Sequence, residues 1–196
     1  MASWTDVENK LAVILDDDYY RTKHKVIAPR QKARECVQRA QGSAMPAYSG
    51  DISVVELQHP ARPGLPTRLM RGFDTTRSES RFGGWWIDYD LFDRFRRASS
   101  TLPPADRLQK IQAFMRARSA VSHDWSNMGG IAELNLPMNE RVPALVGKAH
   151  YQAYVTNPKD PAYVPNVFLM GGDRQFYVCL HDRSWIRDFS ANAGAA

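Results

Sequence analysis

Two adjacent glycines, Gly129 and Gly130, divide the hydrophobic pattern of this chain. Before them the clearest apolar stripes keep helical spacing. In "TDVENKLAVILDD", residues 5–17, Val7, Leu11, Ile14 and Leu15 fall on one face, with Thr5 or Asp6 placed to cap. In "PADRLQKIQAFMRARSA", residues 104–120, Leu108, Ile111 and Met115 do the same, and Pro103–Pro104 marks the start. After the glycines the period becomes two. In "IAELNLP", Ala132, Leu134 and Leu136 alternate with Glu133 and Asn135. A chain that runs from helices to consecutive strands is expected to be α+β, with a largely antiparallel sheet and flanking helices.

The other segments fit this frame. Residues 30–41 predict a second, Arg- and Gln-rich helix ended by Gly42, and "ISVVELQ", 52–58, predicts a strand. "HPARPGLP", 59–66, holds three prolines and a glycine and is the best candidate boundary. It divides a basic helical region, 1–62, from a core, 63–196, although one continuous domain is equally compatible. "TRLMRGFD" reads as a strand, and "GGWWIDYDLFDRFRRAS" as a strand turning into a helix near Tyr89–Arg97. "RVPALVGKAHYQAYV" supplies further strands. "NVFLM" and "RQFYVCL" flank Gly171–Gly172–Asp173 in the manner of a hairpin.

Composition closes off several classes. With 43% hydrophobic and 24% charged residues, a packed core is within reach. No apolar run approaches the length of a membrane span. The first twenty residues lack a basic n-region, so a Sec-type signal peptide is not expected. The two cysteines, Cys36 and Cys179, form no CxxC or Cys/His cluster, so no metal is expected. Both read as reduced thiols, Cys179 as plain core, in a chain that is cytoplasmic or exported as a folded effector. The net charge is +5, with basic residues gathered in 19–39. That segment is either a solvated helix face or a contact for an acidic partner, with nucleic acid the weaker choice because no nucleic-acid-binding motif accompanies it.

The candidate chemistry lies in the later strands. Alternation puts Phe176, Val178 and Leu180 on one face of 174–180, and Gln175, Tyr177 and Cys179 on the other. Gln175 then follows a Gly-Gly turn on the face opposite the core, where a cleft can form. "GGDRQF" resembles the glycine-rich turn followed by Gln-aromatic in the tuberculosis-necrotizing-toxin family of NAD glycohydrolases. "SRFGGWWIDY" resembles that family's Asp-Arg-Phe-Gly segment, with Arg81 at its arginine and Ser80 in place of the aspartate. "LMRGFD" resembles the Arg-Gly strand of ADP-ribosyltransferases, with Arg71 as the arginine. The matches cover about 35 residues of the chain. There is no Ser-Thr-Ser segment and no Glu-x-Glu.

The resemblance implies an ADP-ribosyltransferase-like core that takes NAD as substrate without a metal. It implies a toxin or effector that hydrolyses NAD or modifies a protein target, with a neutralising partner protein. Arg71 and Arg81 compete to hold the pyrophosphate, where a guanidinium fork matches phosphate oxygens. Trp86 and Tyr89 are candidates to stack on the pyridinium, worth about 0.5–2 kcal/mol. Gln175 would hydrogen-bond the ribose as an oxocarbenium-like state develops. Being neutral, it points to hydrolysis rather than directed transfer. His123, at the end of the long helix, is either a cap favoured by the helix dipole or a group that binds ribose or activates water. The competing expectation is a non-enzymatic binding module that uses its basic N-terminal segment.

Overall fold

The computed structural model describes residues 3–44, 52–119, 121, 126–150, 152–180 and 182–190. Three helices come first: α1 (Trp4–Leu15), α2 (Asp18–Lys23) and α3 (Pro29–Ala44). Ser3 and Asp6 form a reciprocal capping box at the start of α1. Asp17 accepts from Tyr19 N to start α2. Helix α3 runs through Gly42 instead of ending there. Strands β1 (Ser53–Gln58), β2 (Arg68–Phe73) and β3 (Trp85–Asp88) follow, with a 3-10 turn at Ser78–Phe82 between the last two. Helices α4 (Tyr89–Ala98) and α5 (Pro104–Ser119) precede β4 (Gly130–Asn135), β5 (Arg141–Lys148), β6 (Gln152–Ala153), β7 (Phe168–Leu169), β8 (Arg174–Val178) and β9 (Ile186–Asp188).

Seven strands form one sheet in the order β1-β5-β8-β3-β2-β4-β9, and every pairing in it is antiparallel. The fold is thus mixed α+β with a mainly antiparallel sheet. Because β1 pairs with β5 from Ser53↔Val146 to Gln58↔Arg141, the proline-rich stretch is a loop inside this sheet. The expected hairpin across Gly171–Gly172 does not form. β7 pairs with β6, and β8 lies between β5 and β3. The two glycines, at φ +61° and +89°, turn the chain away from the small β6–β7 ribbon. Gly171 N donates to Ala117 O and Gly172 N to Ala149 O, which ties the turn to α5 and to the end of β5.

The five helices α1–α5 of the described residues lie on one face of the sheet. Val7, Leu11, Leu15, Tyr20, Ala33 and Val37 from the first three pack on Leu145 and Tyr177. Leu91, Phe92, Ile111 and Met115 from α4 and α5 pack on Met70, Ile87 and Ile131. The opposite face is buried without a helix. Leu57 on β1, Phe176 on β8, Trp86 on β3 and Ile186 on β9 belong to one cluster, so the sheet curls around its own core. Leu65, Phe82 and Trp185 cover it.

The cysteines correct the sequence expectation. Cys36 on α3 and Cys179 just beyond β8 are joined in a disulfide across 143 residues. They are not reduced thiols, and the bond fastens the helical layer to the middle of the sheet. The spacing in sequence concealed the pairing, because only the long-range docking of α3 brings the two residues together. No helix among the described residues is long and apolar enough to cross a membrane.

Candidate functional site

Arg71 points from β2 towards the curled face, beneath the 3-10 turn. Its Nε donates to Ser80 O at 3.0 Å and its Nη1 to Trp85 O at 2.9 Å. Among the described residues no carboxylate pairs with it, and its Nη2 makes no hydrogen bond. Burial pushes its pKa down to about 10, so the group is held charged against desolvation by two carbonyl dipoles. Gly83 leaves room for it, since a Cβ there would come within 2.3 Å of Nη2. On the opposite, helix-bearing face of the sheet, Trp85 and Tyr177 pack edge to face at 4.9 Å. The Tyr177 ring covers Gly84, whose Cβ would meet it at 2.3 Å. Burial raises the Tyr177 hydroxyl, opposed by the fields of Arg39 and Arg71. The result is a cation without an acid among the described residues, with an aromatic pair on the other face of the sheet.

The other expected residues are dispersed. Arg81 lies on the 3-10 turn, its guanidinium 4.6 Å from the Phe82 ring centre. Trp86 is 1% exposed within the curled core, so it offers no face for stacking, and Trp85 occupies the other side of the strand. Tyr89 begins α4, with the Arg68 guanidinium 3.8 Å from its ring centre. His123 lies outside the described residues.

Gln175 departs most from expectation. It is 5% exposed, and its Nε2 donates to Ser119 O at 3.1 Å at the end of α5. Alternation placed it correctly opposite Phe176 and Val178. However, β8 is central, and helices cover its second face too. Gln175 therefore closes a helix end, satisfying one of the carbonyls that every helix leaves unpaired.

Sequence reasoning also missed a charged centre. Glu133, 0% exposed, receives Arg68 and Arg187 on the helix-bearing face. Its alternation with Ala132 and Leu134 reads as solvent-facing, and only the three-dimensional arrangement shows the burial. Conversely, much of the basic N-terminal segment is engaged within the chain. Lys23 pairs with Glu140, Arg21 with Asp16 and Arg34 with Glu8. No group of three His, Cys, Asp or Glu able to hold a metal occurs among the described residues.

No protein-family model matches the chain, and no curated protein or solved structure matches it.

Proposed function

We propose that this chain is an NAD-consuming enzyme of ADP-ribosyltransferase-like fold, a toxin or effector that cleaves the nicotinamide–ribose bond. One observation carries the reading: Arg71 is a largely buried guanidinium with no acid and no partner for its Nη2 among the described residues. A buried cation without a counter-ion is costly to hold, and an arriving phosphate would offset that cost. In this reading Nη2 receives a pyrophosphate oxygen.

Cleavage then takes its simplest course. The bond from ribose C1′ to the nicotinamide nitrogen breaks, and its electron pair leaves with neutral nicotinamide. Water adds to C1′ and loses a proton to solvent. With no carboxylate among the described residues at Arg71 to direct an acceptor, hydrolysis is favoured over transfer. Gln175 supports the site by fixing the end of α5 rather than by touching ribose. The Cys36–Cys179 bond suits a chain that matures outside a reducing cytosol, as an exported effector does.

The test is nicotinamide release from NAD by the purified chain, with calorimetric titration of NAD alongside. Arg71→Lys keeps the charge and loses the fork. It is expected to weaken NAD binding about ten- to hundredfold, the loss of about 1.5–3 kcal/mol for a charge-assisted contact. A folded parent protein that neither binds NAD nor releases nicotinamide would end this reading.

A further inference from the structure

A concavity lies where β2 starts and β3 ends. It is a cleft of about 340 Å³ bounded by the 61–66 loop, Thr67, Arg68, the first turn of α4 and Arg174. Its charges are matched within the protein. Arg174 Nη2 donates to Asp88 Oδ2 at 2.8 Å and its Nη1 to Gly64 O at 3.1 Å. Arg68 is held by Glu133, and its guanidinium lies 3.8 Å from the Tyr89 ring centre. These contacts fix both guanidinium planes. Hydrogen-bonding capacity remains in three of the lining residues. The Thr67 hydroxyl, the Arg174 Nε and the Asp90 carboxylate have no partner among the described residues.

Chemistry narrows the ligand. An inorganic anion would have to approach Asp88 and Asp90. A metal cation would have to approach Arg68 and Arg174. Neither gains from a cleft whose fields cancel. Groups that both donate and accept do gain, because rigid carboxylate and guanidinium planes lie side by side. Hydroxyls are such groups, and the volume accommodates one sugar ring with water. We propose that this cleft binds a neutral, multiply hydroxylated ligand of the monosaccharide class, contacted by Thr67, Asp90 and Arg174. The proposal does not depend on the NAD reading, which concerns Arg71.

The full chain, labelled with ¹⁵N, would be titrated with D-ribose, methyl glucoside and N-acetylglucosamine. Concentrations should reach about 100 mM, enough to saturate a site with Kd of roughly 10 mM. At least one sugar is expected to give saturable shifts at the amides of Thr67, Arg68, Asp90 and Arg174. In the Thr67→Val/Asp90→Ala double variant the apparent Kd is expected to rise at least fivefold, by roughly 1 kcal/mol. Both positions bear surface, and a native-like spectrum of the variant confirms its fold. Three results would overturn the proposal: no saturable shift with any sugar, shifts unchanged in the double variant, or tighter occupation of the same amides by inorganic phosphate.

Discussion

Replacing both cysteines should reveal how far the N-terminal helices depend on their covalent link to the sheet. The disulfide closes a loop across 143 residues. Chain-entropy reasoning for a loop of that size gives about 5 kcal/mol of stabilisation, from constraint of the unfolded chain, and about 2–4 kcal/mol is the more usual yield. Cys36→Ala/Cys179→Ala should therefore lower stability by about 2–5 kcal/mol. The entropy of unfolding is about 2.1 cal/mol/K per residue, so a loss of about 4 kcal/mol across the chain corresponds to a Tm lower by about 10 °C. The urea dependence should also steepen, because the unlinked unfolded chain exposes more surface. The assay is urea and thermal unfolding of parent and variant, with mass spectrometry after alkylation of unreduced, denatured parent. Two alkylated thiols in the parent would refute the bond itself. Coincident unfolding midpoints would refute the reasoning about its contribution.

Three further outcomes are expected. Gln175→Ala should destabilise by about 1–3 kcal/mol, since Ser119 O loses its donor in a buried setting, and a melting curve showing under about 0.5 kcal/mol would contradict the assignment. Glu133→Ala should cost about 1–3 kcal/mol, less than the ~3–5 kcal/mol of a fully buried pair because both arginines reach solvent; Glu133→Gln should recover part of it. Stability should fall on acidification in two stages, followed by urea unfolding at a series of pH values. Burial depresses the His24 pKa below its usual 6.5, against the field of Glu140. The unfolded chain therefore takes up the proton first, and stability declines as pH drops below about 6.5. Hydrogen bonds from Thr76 lower the Asp74 carboxyl. Burial raises that of Glu140, but Lys23 and Tyr19 outweigh it. Their contribution is present above the ordinary carboxylate range and is lost as pH falls through their depressed values. His24→Gln should remove the first stage and leave the second; a parent curve flat from neutrality to the carboxylate range would contradict the His24 argument.

Periodicity carried much of the architecture. The stripes of α1 and α5 and the alternation of β4 lie where Leu11, Ile111 and Leu134 placed them, because each element buries one local face. What the pattern could not supply was the identity of neighbours. Gln175 and Glu133 both occupy the nominally polar side of a strand, and both are buried because helices cover that side. The Gly171–Gly172 turn has hairpin chemistry, yet β8 pairs elsewhere, since a central position buries more of Phe176 and Val178 than a hairpin would. The residues expected to hold NAD are scattered: Arg71 lies beneath the 3-10 turn, Trp86 inside the curled core and Tyr89 at a separate cleft. A disulfide across most of the chain leaves no local trace at all.

The place of β8 in the sheet bears on how the chain folds. Residues 174–178 follow every other strand of the sheet except β9 in sequence, yet they join β5 to β3 and so unite the two halves of the sheet. Until β8 docks, β1–β5 and β3–β2–β4 are separate ribbons, and the N-terminal helices lack the Tyr177 surface on which they rest. Completion of the sheet therefore waits on long-range pairing, which slows folding. Until that pairing is made, both ribbons keep open strand edges on which misassembly can start.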